Sequence, residues 1–430
     1  MTFISNKNLM KSILLIIYDL FLFLYKTIAI FLSLSNSKAK KWVYGRVADK
    51  EKLKLCKTEK KIWFHASSLG EFEQGRPLIE KLKKELPQYP IVLTFFSPSG
   101  YEIRKNYPYA DYIYYLPLDG KKRSRNFIDQ INPLIAVFIK YDLWFYYFKY
   151  LKEKSIPLII VSADFRAEQF DQNLYSKLFN LMLTKVEYIF TQNKKSEELL
   201  KSKGFSNVST AGDTRIDRVL TISDEIDVFS DKKIEAFCKE SSVLIAGSSY
   251  YYEANLIKKC IESNQYHFKY LLVPHIVNVR HLNEIIRIFK GNIVFWSKCH
   301  ENDDFSNKQL MVVDTIGILN KIYKYGDIAL IGGGFNNSIH NLLEPAASKL
   351  PVIFGPKNHH KFSEAKAFID LKSGFIIENE DDFFKAIDYL LENNNYRYCG
   401  EKAYNYLLEN SGATQKIYEY ISKRLLSETH

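Results

Sequence analysis

The stretch from Gly332 to Pro356, GGGFNNSIHNLLEPAASKLPVIFGP, constrains this chain more than any other. It follows an apolar run, Ile328 to Ile331, that reads as a strand buried on both faces of a parallel sheet. Three glycines let the backbone turn sharply and come close to a ligand. A polar cluster follows, Asn336, Asn337, Ser338, His340 and Asn341. Leu342 to Ser348 then reads as a short helix carrying Glu344, and Pro351 to Phe354 as a second strand. Strand, glycine loop, helix start and strand is the geometry that holds anionic or nucleotide ligands at the carboxyl end of a sheet. An ordinary βα turn would have the same glycines. The Ser-His-Asn cluster and Glu344, which can bond a sugar hydroxyl, favour a nucleotide-sugar site.

The same alternation runs along most of the chain. Strand-length apolar runs occur at Ile62–Phe64, Ile91–Phe95, Tyr112–Leu116, Leu134–Ile139, Leu158–Ser162, Tyr188–Thr191 and Val208–Ala211. A second set lies at Val243–Ala246, Tyr270–Val273, Ile293–Phe295, Gln309–Val313, Ile328–Ile331, Val352–Phe354 and Gly374–Ile377. Helical stretches fill the gaps. Glu71–Leu86, for example, places Leu78, Leu82 and Leu86 on one stripe. The expectation is an α/β fold of two Rossmann-like domains facing a cleft. The charged segment Thr221–Lys239 should hold their boundary. We therefore divide the chain into 1–45, an N-terminal anchor and basic segment; 46–225, the first Rossmann-like domain; and 226–430, the second. The final helix, Ala413–Leu426, is free to pack back on the first domain.

Composition narrows the partners. The formal charge of +11 favours anions: phosphates, nucleic acid or an acidic membrane face. The basic residues are dispersed and no nucleic-acid motif is visible, so nucleic acid is not expected. Cys56, Cys238, Cys260, Cys299 and Cys399 are scattered without a C-x-x-C pair, which fits a reducing compartment rather than a disulfide framework or a zinc site. No metal-ligand motif appears, and no metal or cofactor is expected.

Ile13 to Leu34 is mostly apolar and long enough to span a bilayer, although Asp19 and Lys26 interrupt it. Lys7 and Lys11 precede it, and Lys38, Lys40, Lys41 and Arg46 follow. Either a spanning helix or a helix lying in the interface fits, with the basic cluster on the cytoplasmic side. A buried core helix is the third reading.

Several loops could carry chemistry. Glu71 opens a helix after His65-Ala66-Ser67-Ser68-Leu69-Gly70, where a carboxylate could take a proton from an attacking hydroxyl. Its place at a helix start should favour the charged form and lower its pKa. Asp142 follows a strand end, where it could cap a helix or face a ligand. Arg215, in Ala211-Gly212-Asp213-Thr214-Arg215, could hold a phosphate or form a surface ion pair. In the second domain, Ala246-Gly247-Ser248-Ser249, Pro274-His275, Asp314 to Gly317 and the Gly332 segment put four polar loops on one rim. No strand is followed by G-x-G-x-x-G, so a dehydrogenase is disfavoured.

Together these segments resemble the 3-deoxy-D-manno-octulosonic acid (Kdo) transferases, membrane-associated glycosyltransferases of GT-B fold. His65–Glu71 is similar to the family's H-x-x-S-x-G-E, and Ile91–Gly100 to its T-x-x-S-P-x-G. Lys140–Trp144 resembles E-x-E-L-W, Asp213–Asp217 resembles G-N-x-K-F-D, and Ala246–Ser249 resembles A-G-S-T. His340–Pro345 resembles H-N-x-L-E-P, followed by P-V-I-F-G-P. The resemblance implies an inverting transfer of Kdo from CMP-Kdo to a lipid A precursor, with Glu71 as general base. It implies CMP contacts from Ser248, Ser249, Gly317, Ser338, Asn341 and Glu344, with Glu344 on the ribose, in a donor site that also includes Pro274, His275 and Gly333. Ser68, Gly70, Arg76, Asp142 and Arg215 would form the acceptor side. CMP-Kdo would be a substrate rather than a cofactor. The partners would be the lipid A precursor and the anionic inner-membrane surface, at its cytoplasmic face. His275 stands where the family has an arginine, with Arg280 a possible substitute; Lys140 replaces an acidic residue, and Ile318 a glutamate. Two rivals are another GT-B enzyme using a UDP-sugar on a lipid acceptor and a non-catalytic membrane-anchored binding protein.

Overall fold

The computed structural model describes residues 2–53, 59–171, 173–226 and 229–426; Cys56 lies outside them. The chain forms two compact units, Met1–Asp217 with Ser411–His430, and Arg218–Asn410. In the first, β1 (Lys61–Ala66), β2 (Ile91–Phe95), β3 (Tyr112–Tyr115), β4 (Pro133–Ile139), β5 (Leu158–Ala163), β6 (Tyr188–Thr191) and β7 (Val208–Thr210) make one parallel sheet. Its strand order is β3-β2-β1-β4-β5-β6-β7. Every residue of β1, β2, β4 and β5 is buried, because helices cover both faces of the sheet. This burial is why these strands read as unbroken apolar runs rather than as alternation.

The second unit repeats the plan. Its strands are β8 (Ser242–Ser249), β9 (Phe268–Pro274), β10 (Val294–Phe295), β11 (Leu310–Val312), β12 (Ile328–Ile331), β13 (Val352–Phe354) and β14 (Gly374–Ile376). All pair in parallel, in the order β10-β11-β9-β8-β12-β13-β14. Each sheet reverses its winding direction once, between β1 and β4 in the first and between β8 and β12 in the second. The crevice outside the strand ends at such a point is where α/β sheets bind ligands.

The units meet in sequence at Asp217/Arg218, within the helix Thr214–Ile226, rather than at 225/226. The start of that helix is bound to the first unit: the Thr214 hydroxyl donates to the Gln74 carbonyl, and Asp217 accepts from Gly412 N at 2.6 Å and Thr414 N at 2.5 Å. Further along, Ser223 donates to the Ala347 carbonyl of the second unit at 3.1 Å. The final helix, Ala413–Leu426, inserts Ile417, Ile421 and Leu425 into the first unit's core.

The N-terminus forms two helices, α1 (Thr2–Leu32) and α2 (Ser37–Leu53). The window Ser12–Leu32 of α1 is long and apolar enough to cross a membrane, and only 17% of it is buried. The buried part is a stripe at helical spacing, Leu14, Tyr18 and Leu22, with Tyr18 and Leu22 joining the core of the first unit. Tyr18 Oη donates to Asp119 Oδ2 at 2.7 Å, and Tyr146 Oη donates to Asp19 Oδ1 at 2.7 Å. The basic cluster after α1 is not uniformly solvent-facing. Arg46 turns inward, its guanidinium 3.8 Å from the Trp42 ring centre and bonded to the carbonyls of Leu116, Phe96 and Trp42. The surrounding rings desolvate it and pull its pKa down to about 10.

Candidate active site

In the first unit, a candidate site is built on the β1–β4 switch point. Helix α3 (Leu69–Glu85) starts directly after β1, so Glu71 sits in its first turn. Glu71 Oε2 accepts a hydrogen bond from Ser67 N at 2.6 Å. The expected lowering of its pKa by the helix start does not occur. Burial raises it first, the negative charge of Asp142 raises it further, and the carboxyl comes to about 7 despite the amides of Ser67 and Ser68 and the charge of Lys140. The amide bonds and helix dipole are thus outweighed by loss of water and a like charge. A carboxyl at this proton affinity can accept and release a proton near neutral pH.

Asp142 is held by a buried relay absent from the expected site residues. Trp63 Nε1 donates to Thr94 Oγ1 at 2.9 Å, Thr94 Oγ1 lies 2.9 Å from His65 Nδ1, and His65 Nε2 lies 2.7 Å from Asp142 Oδ2. A proton on Nε2 serves Asp142, and the single Thr94 hydroxyl hydrogen is shared between His65 Nδ1 and the Phe64 carbonyl at 3.2 Å. His65 is wholly buried and its register partner across the sheet is Phe138 of β4, so the ring has little freedom to move. Asp142 is therefore a fixed negative charge.

The remaining first-unit residues divide. Ser68 is the N-cap of α3 with extended backbone and makes no side-chain cap, and a Cβ at Gly70 would meet nothing within 4 Å. Both leave open space beside Glu71. Arg76 is engaged by Glu80 at 2.6 Å and Glu73 at 3.6 Å on its own helix. Arg215 is gripped by Asp213, with contacts from 2.6 to 3.1 Å, so the ion-pair reading of that residue is the one observed. Ser97 caps a helix: its Oγ accepts from Ser99 N at 3.1 Å at the start of α4 (Pro98–Arg104).

In the second unit, a separate candidate site lies at the β8–β12 switch point. Gly332 allows the two loops to touch, since a Cβ there would sit 2.0 Å from the Ser248 carbonyl oxygen. Gly333 has a φ of +91°, with the Ser338 carbonyl against it. Ser248 also takes a positive φ, 51°, and Ser249 pairs with Pro274 across β8 and β9. His275 N donates to Ser249 O at 3.0 Å. The His275 ring stacks on His340 with centroids 4.4 Å apart, and Tyr250 Oη lies 3.2 Å from His340 Nε2. Burial and the neighbouring His275 push His340 down to about 4, so it is neutral at pH 7. Burial also lowers His275, whose side chain nonetheless lies at the exposed rim.

Asn341 organises the next loop. Its Oδ1 accepts from Leu343 N at 3.0 Å and its Nδ2 donates to Glu344 Oε1 at 3.0 Å, fixing the Glu344 carboxylate. Gly317 is exposed, with φ +91° and open space around it. Arg280 points into solvent, 3.5 Å from Glu284 and 91% exposed. One further residue supports these loops: Glu253 caps its own helix, Tyr251–Ser263, through Tyr250 N at 3.0 Å.

A model of the 3-deoxy-D-manno-octulosonic-acid (Kdo) transferase family matches residues 43–218, the segment that holds Glu71, Asp142 and their relay. Over that segment the chain is similar to the Kdo transferases. A Kdo transferase of Aquifex aeolicus is 29% identical over 356 residues, covering 81% of this chain and 90% of that one. A bifunctional glycosyltransferase/methyltransferase of Fusobacterium nucleatum is 27% identical over 349 residues, 77% of this chain. The chain spans about half of that relative, 53%. Among solved structures, a UDP-GlcNAc 2-epimerase of Neisseria meningitidis bound to UDP-GlcNAc superposes with a TM-score of 0.56 at 14% identity, covering 85% of this chain and 100% of that one. At that identity the likeness speaks for the fold alone, and the fold is GT-B. The similarity to Kdo transferases over most of the chain supports a glycosyltransferase enzyme.

Proposed function

We propose that this enzyme moves Kdo from CMP-Kdo to a lipid A precursor, with inversion, at the cytoplasmic face of the inner membrane. The observation that carries the reading is Glu71: a carboxyl at the opening of α3, at a switch point, with its pKa raised to about 7. It takes the proton of the acceptor hydroxyl as that oxygen attacks the anomeric carbon of Kdo. The bond from that carbon to the CMP phosphate breaks, and CMP leaves with the electron pair. Asp142, set by His65, keeps the base's proton affinity high. On the donor side, Glu344 accepts the ribose hydroxyls, and the amides of the Ser248–Ser249 and Gly332–Gly334 loops meet the phosphate. His275 supplies a donor N–H where the family's arginine would supply a permanent charge. The apolar face of α1 keeps the enzyme on the bilayer that carries the acceptor.

The test is mass spectrometry of a lipid A precursor incubated with the enzyme and CMP-Kdo, beside calorimetry with CMP and UDP. A product heavier by one or more Kdo residues, with CMP bound in preference to UDP, is the expected result. No mass gain, together with preferential UDP binding, would refute the donor and point to a UDP-sugar transferase.

A further inference from the structure

A groove of about 500 Å³ runs beside α1 in the first unit. One wall is apolar, made by Leu22, Phe23 and Ile30 of α1. The other is the start of α5 (Lys121–Ile131), which brings Lys121, Lys122 and Arg123 opposite Lys26 of α1. Arg123 is fixed in the wall, because its Nε and Nη2 donate to the carbonyls of Leu118 and Asp119 at 2.8 and 2.7 Å. Four cations thus face one carboxylate, Asp19, which Lys121 already approaches at 3.3 Å. Lys26 and Lys122 have no acidic partner among the described residues.

The posture of α1 says which side of this groove meets lipid. Tyr18 and Leu22 lie in the apolar window Ser12–Leu32 and are packed into the first unit, with Tyr18 bonded to an Asp119 that is 1% exposed. A spanning α1 would carry Asp119, Lys121 and Lys122 into hydrocarbon beside it, which is strongly unfavourable. Lying in the plane, its window of about 30 Å puts the exposed Ile16, Leu20, Phe23 and Phe31, opposite the docked stripe, among acyl chains and leaves the groove between the two faces at headgroup depth.

We infer that the groove between α1 and the start of α5 is a binding site for the headgroup of an anionic glycerophospholipid, with α1 lying in the membrane plane. A phosphodiester sits among the cations while its acyl chains run beside the apolar wall, so one molecule satisfies both sides. A free anion would leave the apolar wall uncovered. The site rests on the membrane side of the function proposed above, and its test contains neither donor nor acceptor, so its failure leaves the transfer reading standing.

The experiment measures flotation of the full chain with vesicles of pure phosphatidylcholine and with vesicles containing phosphatidylglycerol. The wild type binds both, and more tightly when phosphatidylglycerol is present. The pair Lys26→Gln and Lys122→Gln should lose that gain by about fivefold per charge, with binding to phosphatidylcholine unchanged. The control pair Lys195→Gln and Lys203→Gln removes the same charge from another exposed face of the same unit and should keep the gain. Equal losses from both pairs, or no loss from the groove pair, overturns the site. Hydrogen exchange on the unaltered protein gives a second reading: phosphatidylglycerol vesicles should protect the amides at the start of α5, and inorganic phosphate should not. Protection by phosphate alone, or none with vesicles, refutes the proposal.

Discussion

Replacing Glu71 with Gln should disable the enzyme and stabilise it at the same time. Glutamine keeps an oxygen to accept from Ser67 N but cannot take a proton. Turnover should fall by about two to four orders of magnitude, with CMP affinity little changed. The stability effect follows from the same environment. The Glu71 carboxyl rises from an ordinary 4.5 to about 7 in the fold. The native state therefore holds a proton that the unfolded chain releases. Stability from this group is fully present below about 4.5 and is lost as pH rises through about 7. At about 1.4 kcal/mol per pH unit, the difference of about 2.5 sets a ceiling near 3.4 kcal/mol. Partial exposure of the side chain reduces this to about 1–2 kcal/mol. Glu71→Gln should therefore raise the melting temperature at pH 8 by about 2–6 °C and leave it nearly unchanged at pH 4. Scanning calorimetry at the two pH values, beside turnover, checks both halves. A variant with near wild-type turnover refutes the base. A melting shift equal at both pH values refutes the origin assigned to its proton affinity.

Three further outcomes are expected. Asp142→Asn removes a like charge from beside Glu71, so the acid limb of the kcat/KM profile should move to lower pH by about one unit; an unmoved limb would mean that Asp142 does not act on the base. Glu344→Ala should weaken CMP by about 1.5–3 kcal/mol in calorimetry, and unchanged affinity would make the Asn341–Glu344 pair purely structural. Deleting residues through Leu34 should destabilise the first unit, because Asp119 loses the Tyr18 hydroxyl and Trp42 loses Tyr25 at 5.4 Å; a truncated protein melting like the full chain would overturn the docked posture of α1.

The strands were legible because a parallel sheet covered on both faces writes itself as uninterrupted apolar runs, and β2, β6 and β12 fall where those runs lie. The glycine loop at Gly332 was legible because close backbone approach excludes a side chain. What stayed hidden is long-range or electrostatic. His65 stands in a recognisable loop, yet its partner Asp142 is 77 residues away and meets it only through β1–β4 pairing. The direction of the Glu71 shift reversed because a local rule, the helix dipole, competes with burial that no local pattern records. Reading the apolar run as an anchor did not reveal Asp119, whose burial depends on α1, on Ser124 of α5 and on the start of α6 (Phe145–Glu153) together. Arg46 looked like one more surface cation because charge alone does not reveal three rings around it.

The return of the helix Ala413–Leu426 to the first unit has a consequence for biogenesis. A ribosome makes the first sheet early, but Ile417, Ile421 and Leu425, which complete its core, emerge only after the whole of the intervening unit. Until then the sheet waits with an apolar face uncovered, while the intervening unit, Arg218–Asn410, can finish folding. The nascent first unit is thus exposed to aggregation for most of translation, at a time when α1 is already available to hold it on the bilayer. A premature stop near residue 410 should leave an intact second unit attached to a first unit that cannot close, visible as a proteolytic fragment that retains nucleotide binding.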